Sequence, residues 1–325
     1  MTDNVAYSPA PLDRDATFYV AGHRGLVGSA IWRTLSAQGF TRLVGATSAE
    51  VDLRDRDATF AFIGQTRPRY LVLAAAKVGG IMANNTYPVD FLSENLRIQT
   101  NVLDAALANE VERVLFLGSS CIYPKFAPQP IPEDALLTGH LESTNDAYAI
   151  AKIAGILHVQ AVRRQYGLPW ISAMPTNLYG PNDNFSPTTS HVLPALIRRY
   201  DEAGRTGAGT VTNWGTGTPR REFLHSQDMA DACLFLLEHY DGPSQVNVGV
   251  GEDNTVAEIA QMVAEATGFT GETQWDVSKP DGTPQKLLDV SLLRKAGWTA
   301  RIPLAEGIAA AVAAYRAEGA HRTVD

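Results

Sequence analysis

The chain is predicted to fold as an α/β enzyme, with a doubly wound parallel Rossmann-type sheet and a smaller mixed α/β substrate lobe. Three observations predict it. Short apolar runs alternate with helix-periodic stretches, the rhythm of βαβ units. Residues 70–75 and 113–117 are apolar almost throughout, as strands buried on both faces are. The first apolar run, 17–21, passes directly into a glycine-rich turn that opens a helix.

The elements follow in order. Thr17 to Ala21 reads as the first strand, and Leu26 to Gln38 as a helix with Leu26, Ile31 and Leu35 on one face. Leu43 to Ala46, Tyr70 to Ala75 and Arg113 to Leu117 read as strands, with helical stretches such as Asp90 to Asn109 between them. Tyr148 to Tyr166 is a long helix, and Trp170 to Met174 a strand closed by Pro175. After about Tyr179 the pattern loosens, with Pro, Gly, Asn and Thr dense from 181 to 190. Residues 16–178 are therefore expected to form the dinucleotide-binding domain. Residues 222–250 return to it through a helix, Asp228 to His239, and a strand, Gln245 to Val250. Residues 179–221 and 251–321 make the second lobe, and the polar segment 1–15 is a flexible extension. Right-handed crossovers place the carboxyl ends of the strands on one edge, where ligands bind.

Composition narrows the function classes. The chain has 325 residues, 45% of them hydrophobic, enough for a packed core. A net charge of -8 disfavours nucleic acid as a partner. The cysteines, Cys121 and Cys233, make no disulfide framework, so a reducing cytoplasm is expected. The amino terminus lacks the basic and apolar regions of a leader, and no apolar run approaches the ~20 residues of a membrane span. No metal is expected.

The turn Gly22-His-Arg-Gly-Leu-Val-Gly28 follows strand one. Glycine there permits a tight turn, close approach of a pyrophosphate, and packing of helix on strand. The helix start adds oriented N–H groups and partial positive charge. Strand two ends Ala46-Thr-Ser-Ala49 with no acid before Glu50, while Arg24 inside the turn suits a 2′-phosphate. NADP is thus favoured over NAD, with Asp52 assigned to the adenine amino group.

Tyr148 and Lys152 stand four apart on one helical face. The ammonium is expected to favour the phenolate, giving an acid/base group beside a carbonyl. Ser119-Ser120 lies just past the strand that ends at Leu117, where a hydroxyl can bind the same carbonyl oxygen. Strand-end serine, Y-x-x-x-K and glycine turn together resemble the short-chain dehydrogenase/reductases. Cys121 follows the serines and is either an acid/base thiol or a small buried filler. Cys233, among apolar neighbours, fits the filler. His191, before a helix, is a second acid/base candidate.

Over residues 18 to 318 the chain resembles the GDP-L-fucose synthase family, 3,5-epimerase/4-reductases of the extended short-chain dehydrogenase type. The matching stretches are Ala21 to Ile31, Ala74 to Gly80, Asn84 to Pro88, Phe116 to Pro124, Tyr148 to Gly155 and Pro175 to Pro181. They continue with Trp214 to Pro219, Arg221 to His225 and Lys279 to Pro284. The resemblance implies epimerisation at C3 and C5, then NADPH-dependent reduction at C4, of GDP-4-keto-6-deoxy-D-mannose. It implies Ser119, Tyr148 and Lys152 as the reductase triad, and Cys121 and His191 as epimerisation base and acid. It implies cofactor contacts from Gly22, His23, Arg24, Gly25, Leu26, Val27, Gly28, Ser48, Asp52 and Leu53. Further cofactor contacts are Leu117, Gly118, Ser119, Ser120, Lys152, Pro175, Thr176, Asn177, Leu178 and His191. Arg199, Trp214, Arg221 and Asp281 would hold the GDP-sugar, and a homodimer is implied. One position departs: Ser48 stands where the family carries an arginine for the 2′-phosphate. Two other readings stay open. One is another nucleotide-sugar epimerase or dehydratase with tightly held NAD. The other is a non-catalytic NADP-sensing regulator.

Overall fold

The computed structural model describes residues 11–279 and 281–318. The first lobe runs β1 (Phe18–Ala21), α1 (Leu26–Ala37), β2 (Leu43–Val44), α2 (Arg56–Thr66), β3 (Tyr70–Leu73), α3 (Ile81–Thr86), α4 (Pro88–Ala108), β4 (Arg113–Leu117), α5 (Asp146–Tyr166) and β5 (Ile171–Pro175). Then come β6 (Asn177–Tyr179), α6 (Val192–Thr206), β7 (Thr210–Trp214), β8 (Arg220–Arg221), β9 (Phe223–His225), α7 (Ser226–His239) and β10 (Val246–Val248). The chain closes with β11 (Asn254–Thr255), α8 (Val256–Thr267), β12 (Glu272–Asp276), β13 (Gln285–Lys286), α9 (Ser291–Lys295) and α10 (Leu304–Glu318).

Six strands form one parallel sheet in the order β10-β5-β4-β3-β1-β2. Strand order reverses beside β1, so a crevice opens above the carboxyl ends of β1 and β3. Both faces are covered. Ile31 and Leu35 of α1 pack with Met229, Cys233 and Leu237 of α7 on one side. Ile63, Val102, Ile156 and Val159 of α2, α4 and α5 cover the other. Trp170 is fully buried there, and its Nε1–H donates to the Val111 carbonyl at 3.0 Å. Trp170→Ala is expected to cost about 3–5 kcal/mol, read as a lower urea midpoint at unchanged slope.

The second lobe has its own core, where Leu196, Tyr200, Ile259, Val263, Ile308 and Val312 bring α6, α8 and α10 together. In α7, Met229, Cys233 and Leu237 pack on the sheet core of the first lobe, and β10 joins that sheet at its edge beside β5. Two expectations need correction. Residues 1–10 lie outside the described residues, but 11–15 are docked rather than free: Leu12 is buried, and Arg14 pairs with Glu238 at 2.9 Å. The segment 288–298, expected in the second lobe, packs on the first. Leu288 and Val290 join the α4/α5 side, and Leu293 and Trp298 the α1/α7 side. The sequence there lacks a strand long enough to mark the return. Among the described residues no helix is long and apolar enough to cross a membrane, and no metal-ligating cluster forms.

Candidate active site

The glycine turn meets its steric demands at two positions. Gly22 has φ +84, and a Cβ on it would lie 2.8 Å from the Ala75 nitrogen. A Cβ on Gly28 would stand 2.0 Å from the Gly22 carbonyl oxygen. Gly25, by contrast, would meet nothing closer than 3.4 Å and caps α1 with no side-chain hydrogen bond. No acid occupies the first turn of α1, whose Leu26 and Val27 follow directly. These free N–H groups fit a pyrophosphate. The His23 ring fills the space beside Gly45 and lies 5.2 Å from the Trp32 ring centroid; burial, then Arg24, lowers its pKa.

The end of β2 is less simple. Ser48 is exposed in a turn whose Glu50 carboxylate accepts from Thr47 N and Oγ1 at 2.7 and 2.8 Å. Asp52, the residue expected on adenine, accepts from the Arg54 backbone N–H and guanidinium. The Leu53 carbonyl accepts from Asn101 at 2.9 Å.

The triad assembles at the end of β4. Gly118 leaves room only for Met174, whose Cε would lie 2.4 Å from an added Cβ. Ser119 is extended, its Oγ accepts from the Cys121 N–H at 3.2 Å, and its hydroxyl acts on the Tyr148 phenol to lower its pKa. Ser120 is buried beneath it. Lys152 Nζ donates to the Leu117 carbonyl at 2.9 Å and lies 5.9 Å from the Tyr148 ring centroid. Burial lowers Lys152 to about 8. The phenol departs from expectation: burial first, then the Cys121 charge, raises its pKa, against the Ser119 hydrogen bond. An ammonium this buried and already bonded to a carbonyl does not outweigh desolvation of the phenolate. Tyr148 is thus held protonated, the form that a reductase acid needs.

Cys121 has two neighbours that sequence reasoning missed. Lys286 Nζ lies 3.3 Å from its Sγ, and Asn145 Nδ2 lies 3.6 Å away. Burial raises the thiol, but the Lys286 charge and the Ser119 and Lys286 hydrogen bonds outweigh it, and the net pKa falls. His191 is exposed at the start of α6, and desolvation and then the Lys286 charge lower its pKa. One ammonium therefore acts on both. Lys286 stood two residues beyond Pro284, and Asn145 three before Tyr148; only the fold brings them to the thiol. Lys286→Met is expected to move the pH–rate profile of Cys121-dependent chemistry to higher pH, since losing the ammonium raises both groups. A profile fixed in pH would exclude this role.

Pro175 ends β5, and after Thr176 the residues Asn177 and Leu178 begin β6, which pairs in parallel with β9. Thr176 is buried with its Oγ1 donating to the Glu222 carbonyl at 3.3 Å; Asn177 Nδ2 donates to the same oxygen at 2.8 Å. Glu222, also missed, is fully buried and accepts from Val250, Gly251 and Leu288 N–H groups. In the loop towards His191, burial raises Asp183 to about 7. Stability should therefore fall as pH rises from the ordinary carboxylate range through 7, where the folded state binds the extra proton. Asp183→Asn is expected to flatten that fall and to stabilise the chain at pH 8 but not at pH 3, measured by thermal melts.

In the second lobe, Arg221 feels the charges of both Asp281 and Cys121, while burial lowers its pKa. Trp214 is 57% exposed, with Lys279 Nζ 5.8 Å from its ring centroid. Asp281 accepts from Thr216 N and Oγ1 at 2.7 and 2.9 Å, so it shapes this loop. Arg199 donates to the Thr212 carbonyl at 3.1 Å, close in chain to Trp214.

The chain from 18 to 249 matches the model of the NAD dependent epimerase/dehydratase family. It is 60% identical over 296 residues to GDP-L-fucose synthase 1 of Arabidopsis thaliana, covering 91% of this chain and 92% of that one. The chain belongs to this family. Within it the chain groups with the GDP-L-fucose synthases. It is 52% identical over 300 residues to that of Escherichia coli K12, covering 90% and 94%. A solved GDP-L-fucose synthetase from Naegleria fowleri bound to NADP superposes with a TM-score of 0.90 at 28% identity, over 98% of each chain. A dinucleotide of the nicotinamide type is thus the family's cofactor, and the glycine turn fits it.

Proposed function

We propose that this chain epimerises GDP-4-keto-6-deoxy-D-mannose at C3 and C5 and then reduces C4 with NADPH, giving GDP-L-fucose. One observation carries it beyond a plain reductase. The thiol Cys121 borders the Ser119–Tyr148–Lys152 set, and Lys286 acts on that thiol and on His191 together. A reductase needs only the triad; the extra pair suits proton transfer at carbons flanking a ketone.

The first lobe would hold the dinucleotide by Gly22–Gly28 and the α1 N-terminus, with Arg24 at the 2′-phosphate. Bound NADPH supplies the hydride for C4. Arg221, Arg199 and Trp214 would face the GDP-sugar. The ketone acidifies C3 and C5; Cys121 as thiolate takes each proton, and His191 returns one to the opposite face. Ser119 and Tyr148 stabilise the oxygen of the enolate by hydrogen bonding. Tyr148, kept protonated by burial, then gives its proton to the C4 oxygen. Reduction comes last because it removes the ketone on which epimerisation depends. Two free cysteines suit a reducing cytoplasm. Exposed Val89 of α4, with Ile150 and Leu157 of α5, supports pairing of two copies through these helices.

The test mixes protein with the keto-sugar nucleotide and follows the reduced-nicotinamide band, with NADPH and NADH in parallel. Oxidation with GDP-L-fucose as product is expected, faster with NADPH. Comparable rates with both would mean that Ser48 has relaxed cofactor choice. Oxidation of neither would overturn the reading.

A further inference from the structure

His191 opens α6 of the second lobe, whereas Cys121 and Tyr148 belong to the first. Something must set the span between them. The turn after β3 meets the loop that ends on His191. There the Gly80 N–H donates to the Thr189 carbonyl at 3.0 Å. A Cβ on Gly80 would stand 2.7 Å from the Ser190 carbonyl oxygen, so the two backbones touch where only glycine fits. Gly79 is equally tight on the other side: its Cβ would lie 2.9 Å from Phe91 Cζ. Phe91 in turn sits edge-on to Tyr148, with centroids 6.4 Å apart. Asn84, buried, fixes the turn by donating from Nδ2 to the Gly79 and Gly80 carbonyls at 2.7 and 3.1 Å. The loop is braced as well, with Asn184 Nδ2 donating to Thr189 Oγ1 at 2.9 Å.

We propose that the Gly79–Gly80 turn, locked by Asn84, is the positioning device for His191, fixing its reach relative to Cys121 and Tyr148. The turn touches no reacting atom; it acts through Thr189 and Ser190. This inference rests on the epimerase reading above. It has a signature that a merely structural role lacks. Cys121 can take a proton and return a solvent deuteron to the same face without His191. Inversion needs a proton from the opposite face. Displacing His191 therefore separates exchange from inversion.

The experiment incubates wild type, Gly80→Ala and Asn84→Ala with GDP-4-keto-6-deoxy-D-mannose in deuterium oxide, NADPH omitted. Deuterium at C3 and C5 and the stereochemistry there are read by NMR. NADPH binding, followed by fluorescence, reports that each variant is folded. In Gly80→Ala, inversion relative to exchange should fall on the order of a hundredfold, the penalty for a group misplaced by about 1 Å. Asn84→Ala leaves Gly80 in place and should lower the same ratio less. An unchanged ratio in both folded variants, with an active wild type, overturns the inference alone. A wild type that neither exchanges nor inverts overturns the epimerase reading and this inference with it.

Discussion

Cys121→Ser should lower inversion at C3 and C5 by about 10²–10⁴-fold, the usual worth of a positioned acid/base group. A hydroxyl is a far weaker acid than a thiol, so Lys286 at 3.3 Å cannot draw an anion from it at neutral pH. Reduction should survive, because the substitution leaves Tyr148 and Ser119 in place and Lys152 still donates to the Leu117 carbonyl. The measurement pairs NMR of the epimerised sugar with NADPH oxidation on substrate that is already inverted. Equal loss of both in a folded variant would defeat the separation of roles. The serine hydroxyl would keep a polar contact with Lys286, so the change is expected to be chemical rather than structural.

Gly28→Ala should abolish dinucleotide binding. The added methyl would sit 2.0 Å from the Gly22 carbonyl oxygen and 3.0 Å from the His23 Cα, both backbone atoms that cannot rotate away. Either α1 retreats from the turn or the turn opens, and the N–H groups of the helix start lose their aim. Overpacking of this kind costs about 1–3 kcal/mol in stability, and the larger effect should fall on affinity. Titration of NADPH by fluorescence would read it. Gly25→Ala is the informative partner, since its Cβ is 3.4 Å from the nearest atom of the protein. That variant should fold as wild type does, so any loss of affinity there comes from the space given to the ligand. Retention of tight binding in Gly28→Ala would mean that this turn does not hold the pyrophosphate.

The sheet was legible because its strands obey a local rule. Phe116 and Leu117, or Val72 and Leu73, are buried on both faces, and so apolar without interruption. The grouping of Ser119, Tyr148 and Lys152 was legible for a similar reason, since Ser119 lies just past the end of β4 and Tyr148 and Lys152 share a helical face. Lys286 was not, because its partner is 165 positions away and nothing in a two-residue strand announces where it lands. The return of 288–298 to the first lobe was hidden likewise, by contacts that are few and non-local. The Tyr148 phenol was misjudged for a different reason. Spacing reports that a lysine is near, but it does not report how much water both groups have lost.

Glu222 links these observations. Its carboxylate gathers N–H groups from Val250, Gly251 and Leu288, and β8 beside it pairs with β13, aligning Arg221 with Lys286. Lys286, which contacts the thiol, and Arg221, which feels its charge, are thus mounted on one frame of main-chain bonds, not on each other. Chemistry and chassis are largely separate: the ladder pairs main-chain atoms of 221 and 286, and the Lys286 side chain reaches the thiol rather than the frame. A lineage could explore new reactions here at little risk to folding, while Glu222 itself would tolerate almost nothing.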